Sequence, residues 1–222
     1  MKGGRFLIVA PHHDDEILGC GGTAAKMVQN GCTGAVVFVT AGWSGLPSVP
    51  RKKQAISLRE DEARNACSVI GIKTLFFLHR EDRNFSVDGS LIHSLVKTLR
   101  EFRPNIVFIP HTEESDYEHQ LSATAAREAI WLSRTDYMPN AGKSLSGLRA
   151  VYSYEVWTPL REYQLKEDIT KYINRKKKAM QQYKSQFGCG LLMDAIEGLN
   201  LYRGSMTSDE RRYCEVFQVR YY

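Results

Sequence analysis

Arg5-Phe6-Leu7-Ile8-Val9-Ala10-Pro11-His12-His13-Asp14-Asp15-Glu16-Ile17-Leu18-Gly19-Cys20-Gly21-Gly22 is the stretch that decides how this chain is read. Phe6 to Ala10 is an unbroken apolar run of strand length, the pattern of a buried strand. Pro11 cannot donate to a sheet ladder and stops the run. Two histidines and three acids follow at once, and then glycines. Ligands of open α/β sheets bind beyond the carboxyl ends of the strands. A buried strand that ends in ligand-type side chains therefore predicts a site at residues 12–16. Three adjacent carboxylates repel one another and call for a cation. The stretch reads as one half of a metal site, and the other half must come from elsewhere in the chain.

Outward from this stretch, strand and helix alternate. Further strands are predicted at 35–39, 74–78 and 106–109, and helices at 23–30, 58–70, 91–99 and 121–132. This alternation predicts an α/β, Rossmann-like fold: a mostly parallel sheet with helices on both faces. Right-handed crossovers bring the strands' carboxyl ends to one edge. His12, His79 and His111 stand at three of those ends, and His119 follows the fourth strand. The second half is less regular. A strand is expected at 151–157, a helix from Asp168 to about Gln186, a helix at 190–203 and a closing strand at 214–222. Nothing marks a boundary, and residues 1–222 are read as one domain.

Composition narrows the function classes. The 222 residues are 43% hydrophobic and 25% charged, ordinary values for a soluble globular chain. The net charge of +5 is mild. Arg175-Lys176-Lys177-Lys178 is the longest basic run and reads as a solvated helix face, so no nucleic-acid partner is expected. The five cysteines (Cys20, Cys32, Cys67, Cys189, Cys214) are odd in number, widely spaced and without a C-x-x-C. That argues against a disulfide framework and a cysteine zinc cluster. No stretch approaches ~18 apolar residues and no leader pattern is visible. The expectation is a cytoplasmic protein with no membrane partner, and a homo-oligomer is compatible with it.

Catalytic zinc takes three protein ligands and leaves one position for water. His12 and Asp15, at i and i+3, can converge where the chain turns out of the strand. His119 is the best candidate for the third ligand, being on the same edge beside the acidic stretch Glu113-Glu114-Ser115-Asp116-Tyr117-Glu118. Asp14 is then left next to the water. A metal lowers that water's pKa toward ~7, and a nearby carboxylate can take its proton. This is the chemistry of metal-assisted amide hydrolysis. The competing reading is a dinucleotide-binding oxidoreductase, through Gly19-Cys20-Gly21-Gly22-Thr23-Ala24. It fails on charge, since Asp14, Asp15 and Glu16 would repel a pyrophosphate. The acid that would hold a ribose is also missing, because no Asp or Glu occurs between Glu16 and Glu60.

Pro11-His12-His13-Asp14-Asp15-Glu16 resembles the A-H-P-D-D-E signature of the PIG-L/LmbE family of zinc-dependent N-acetyl-sugar deacetylases. Arg59-x-x-Glu62-x-x-x-Ala66 resembles that family's R-x-x-E-x-x-x-A helix. Asp116-Tyr117-Glu118-His119 falls where the family carries H-x-D-H. Asp168-Ile169-Thr170 with Lys178-Ala179-Met180-x-x-Tyr183-Lys184-Ser185-Gln186, and then Glu215-Val216-Phe217, are similar to its later segments. The resemblance implies a zinc ion on His12, Asp15 and His119, Asp14 as general base, and a small N-acetyl amino sugar as substrate. It places Arg59 near the site, holding substrate hydroxyls or a phosphate. Trp43, in the loop 43–54, is available to stack on a sugar ring. His13 replaces a proline. Asp116 replaces a histidine that would stabilise the oxyanion or protonate the leaving amine, so Asp116, His111 and a protonated Asp14 all stand as candidates for that step. A non-catalytic sugar-binding protein on the same fold is the alternative that the Asp116 departure supports.

Overall fold

The computed structural model describes residues 3–46, 51–186, 189–206 and 212–222. Residues 47–50 of the predicted 43–54 loop lie outside that set. The central strand β1 (Arg5–Ala10) pairs in parallel with β2 (Thr33–Thr40) on one side and β4 (Ile106–Pro110) on the other. β3 (Thr74–Arg80) extends the sheet beyond β2, and β5 (Ala150–Tyr154) lies parallel to β4. β7 (Cys214–Tyr221) and β6 (Leu165–Asp168) add an antiparallel margin, giving the order β3-β2-β1-β4-β5-β7-β6. The mixed α/β class is as expected. The short β6 was not foreseen, because Leu165-Lys166-Glu167-Asp168 carries too few apolar residues to announce a strand.

Both faces of β1 are covered, which is why its sequence is apolar without alternation. Phe6, Ile8 and Ala10 join a core with residues of α1 (Asp15–Gln29), α2 (Lys52–Ile70) and α5 (Ile173–Met180). Leu7 and Val9 join the opposite core with α3 (Gly89–Phe102) and α4 (Tyr117–Ser133). Strand order reverses direction between β1 and β4, the kind of position where open α/β sheets form a crevice. Among the described residues, no helix is long and apolar enough to cross a membrane.

Several boundaries move. α1 begins at Asp15, eight residues before the predicted start, so the glycines lie inside it. A Cβ on Gly19 would come within 2.2 Å of Tyr154, and one on Gly22 within 2.7 Å of Ile169; both permit close packing. The helix breaks at Cys20 (φ −147°). The break frees backbone groups, and two buried charges collect them. The Glu215 carboxylate accepts from the N–H groups of Gly22 (2.9 Å) and Thr23 (2.7 Å). Lys176 Nζ donates to the Leu18 carbonyl (2.8 Å), Asn200 Oδ1 (3.0 Å) and Glu215 Oε1 (2.7 Å). Lys176 is therefore fully buried, which corrects the reading of its run as wholly solvated. The predicted 168–186 helix shrinks to α5, and the 190–203 helix is α6 (Cys189–Ser205).

Candidate metal centre and cleft

Asp14 connects β1 to α1 with φ 120° and ψ −30°, a conformation that side-chain-bearing residues rarely adopt and that costs about 1–3 kcal/mol. Its neighbours hold it there. The Asp14 N–H donates to Glu16 Oε2 (3.0 Å), and its carbonyl accepts from Ile17 and Leu18 N–H (2.9 Å each). Glu16 is itself buried and is fixed by the Tyr183 hydroxyl from the far end of the chain. Burial raises the Glu16 carboxyl to about 8, against the pull of that hydroxyl. The bend brings the Asp15 carboxylate under His12. Asp15 Oδ2 accepts from the His12 N–H (2.9 Å) and lies 3.3 Å from His12 Nδ1.

α4 supplies the other half. Its N-cap is Asp116, whose Oδ1 accepts from Glu118 N–H (2.8 Å), so His119 falls in the first helical turn rather than in a loop. His119 Nε2 stands 3.1 Å from Asp15 Oδ2, and its ring centroid is 5.3 Å from that of His12. Ligand atoms of His12, Asp15 and His119 all lie within 4.8 Å of one another. Both ring nitrogens of His119 are buried without an aligned hydrogen-bond partner. Two imidazoles around one buried carboxylate, one of them unsatisfied, is a donor set that fits a divalent ion. Glu118 backs the set, with Oε2 2.8 Å from His12 Nε2. Burial works against charge at both His12 and Asp15. The carboxylates of Asp15 and Glu118 nonetheless raise His12 to about 10, and the imidazoles of His119 and His12 hold Asp15 well below the usual range.

The cleft over this set has room for about 130 Å³ and is lined by His12, Asp14, Asp15, Arg59, Asp116 and Trp157, among others. Arg59 is buried on α2. It donates to the His13 carbonyl and lies 3.6 Å from Asp14 Oδ2, while its Nε and Nη1 make no hydrogen bond. Glu62 sits 3.8 Å from Arg59 and accepts from Ser185 N–H (2.7 Å) and Oγ (2.5 Å), so the α2 motif and the late Ser185-Gln186 pair meet behind the cleft. Burial pushes the Asp14 carboxyl up to about 6, against Arg59. Asp82 accepts from Gly42 N–H (2.8 Å) and Ser44 N–H (2.7 Å) and shapes the rim.

Three expectations are not met by the geometry. His79 points away from the cleft: β3 shifts register near its end, His79 takes φ 52°, and its exposed ring pairs with Glu60 (2.6 Å). His111 is buried outside the cleft lining. Its ring nitrogens are taken by the Thr158 carbonyl (2.8 Å) and the Glu113 N–H (3.2 Å). Trp43 is flanked by lining residues, but Lys52 Nζ caps its ring at 4.6 Å and the ring does not line the cleft. Asp116 does line it, yet Arg83 Nη1 lies 2.8 Å from its Oδ2. Burial opposes this charge, but Arg83 and the Glu118 N–H lower the Asp116 pKa, which leaves it an acceptor rather than a proton donor.

The chain is similar to known proteins over most of its length. Residues 7–130, more than half of the chain, match the family described as PIG-L, GlcNAc-PI de-N-acetylase. A diacetylchitobiose deacetylase of Thermococcus kodakarensis is 25% identical over 95% of this chain and 81% of its own length. Among solved structures, N,N'-diacetylchitobiose deacetylase from Pyrococcus horikoshii superposes with a TM-score of 0.88 at 22% identity, over 98% of this chain and 84% of that one. GalB, the 4-carboxy-2-hydroxymuconate hydratase of Pseudomonas putida, does so with 0.86 at 22%, over 99% and 96%. The fold is thus shared by a hydratase, and fold alone does not choose the reaction. The family match extends from β1 through most of α4 and so takes in both halves of the site: the chain belongs to the PIG-L family of de-N-acetylases.

Proposed function

We propose that this chain is a zinc-dependent hydrolase that removes the acetyl group from an N-acetylated amino sugar, with His12, Asp15 and His119 as metal ligands and Asp14 as general base. The observation that carries the reading is the buried Asp15 carboxylate between two imidazoles, with a second carboxylate, Asp14, free of that set and facing the cleft. The bound ion would supply Lewis acidity to the amide oxygen and acidity to a water molecule. Asp14 accepts the proton of the attacking water as its oxygen bonds to the acetyl carbon. Asp14 then returns that proton to the amide nitrogen as the C–N bond breaks, and acetate and a free amine leave. The return falls to Asp14 because Arg83 keeps Asp116 ionised and His111 lies outside the cleft. Arg59, through Nε and Nη1, which make no hydrogen bond within the protein, and Asp116, as an acceptor, hold sugar hydroxyls. The domain acts as one unit over 1–222, since Tyr183, Ser185, Lys176 and Glu215 of the second half buttress the site built by the first. Buried thiols at Cys20, Cys67 and Cys214, with no disulfide among them, suit a cytoplasmic setting.

Acetate release from N-acetylglucosamine compounds, with and without zinc, tests the reading and separates it from hydration chemistry on the same fold. Chelation abolishes turnover and zinc restores it. His119→Ala weakens zinc binding by more than the about 10–100-fold that loss of an outer-shell partner costs, as read by elemental analysis after dialysis. Full zinc content in that variant would remove His119 from the ligand set.

A further inference from the structure

We infer that Trp157 is a stacking platform for a second sugar ring, joined to the one that carries the acetamide, so that the preferred substrate is a disaccharide or longer. The inference rests on the deacetylase reading above. Trp157 follows β5, whose carboxyl end opens on the same edge as those of β1 and β4. Trp157 lines the cleft and is about half-exposed, whereas the His12 side chain is mostly covered and Asp15 is buried. The indole therefore stands at the mouth, farther out than the reacting groups. A ring resting on it lies outside the ring whose acetamide reaches Asp14.

The backbone under this indole is fixed from several directions. Glu114, fully buried, accepts from the N–H groups of Val156 (2.6 Å), Trp157 (3.1 Å) and Thr158 (3.1 Å). His111 Nε2 holds the Thr158 carbonyl, and Ser115 N–H donates to Thr158 Oγ1 (2.9 Å). On the other side Glu155 accepts from Leu160 N–H (2.6 Å) and pairs with Arg203 (2.7 Å). Burying a carboxylate costs free energy, and here it is spent on a turn whose most prominent side chain is a half-exposed tryptophan. A large aromatic face held rigid at a cleft mouth loses little entropy when a flat partner settles on it. The apolar C–H face of a pyranose is such a partner for a reaction on sugars. This also gives His111 a positioning role in place of the oxyanion or proton-donor role for which the sequence makes it a candidate.

The test compares kcat/KM for acetate release from N,N'-diacetylchitobiose and from N-acetylglucosamine, using the zinc-loaded full chain and its Trp157→Ala and Trp157→Phe variants. The wild type favours the disaccharide by about 10-fold. Trp157→Ala reduces that preference about fivefold to tenfold, through KM, and Trp157→Phe recovers most of it. A preference that stays within about twofold in Trp157→Ala overturns the platform. Calorimetric titration of the disaccharide into Asp14→Asn protein, with and without Trp157→Ala, reads binding independently of turnover. A loss of affinity with Trp157→Ala supports the platform even if neither sugar releases acetate, in which case it is the deacetylase reading that fails. Equal affinity, or no binding to either protein, overturns the platform.

Discussion

Asp14→Asn lowers kcat for acetate release by about 10³-fold, close to 4 kcal/mol of transition-state stabilisation, and leaves the zinc content unchanged. Asparagine keeps the shape of aspartate and the N–H that donates to Glu16 Oε2, so the bend into α1 survives. What it loses is a carboxylate able to take a proton. The ligand atoms of His12, Asp15 and His119 are untouched, because Asp14 projects into the cleft beside them rather than into their cluster. Arg59, 3.6 Å from Asp14, loses a charge partner but keeps its bond to the His13 carbonyl. Steady-state kinetics and elemental analysis on the same preparation check both halves. A loss below about 10-fold would end the role of Asp14 as base. A loss of zinc would instead make it a ligand.

Lys176→Met destabilises the fold by about 3–5 kcal/mol. The Lys176 ammonium is fully buried and satisfies three acceptors: the Leu18 carbonyl, Asn200 and Glu215. Removing it leaves the buried Glu215 carboxylate without its counter-charge and the Leu18 carbonyl without a donor, at the place where α1 is already broken. The pair as a whole need not be stabilising. Taking two charges out of water is costly, and an apolar pair of equal volume can be as good. The double variant Lys176→Met/Glu215→Gln therefore recovers part of the loss, since the amide still accepts from Gly22 or Thr23 and no charge is stranded. Urea unfolding of the single and double variants measures both, and a single-variant cost under about 1 kcal/mol contradicts the staple.

The departures from expectation share a physical origin. His79 and His111 stand at strand ends, as the pattern requires, yet neither reaches the cleft. A residue's place on an edge is a matter of period and topology, whereas the aim of its side chain depends on local φ and on who competes for its nitrogens. His79 is turned by a register shift, and His111 is claimed by the Thr158 carbonyl. Trp43 and Trp157 exchange roles for a similar reason. Both follow strands, but Lys52 caps the ring of Trp43, whereas Trp157 is half-exposed and lines the cleft. Lys176 lies in what looks like a solvated basic run, and only the break at Cys20 frees the Leu18 carbonyl and the Gly22 and Thr23 N–H groups that draw Lys176 and Glu215 inward.

The amino-acid sequence by itself determined the α/β class, the buried strand at 6–10 and the residues that form the His12, Asp15, His119 cluster. Apolar runs and acid–histidine clusters are local, and neighbouring charges that cannot coexist unaided show in the letters. Only the tertiary structure decided that Arg83 neutralises Asp116, that Glu16 and Tyr183 hold Asp14 in its bend, and that Glu114 fixes the turn beneath Trp157. Those pairings join residues far apart in the chain. Nothing in the spacing of two distant residues records the distance between them once the helices have packed.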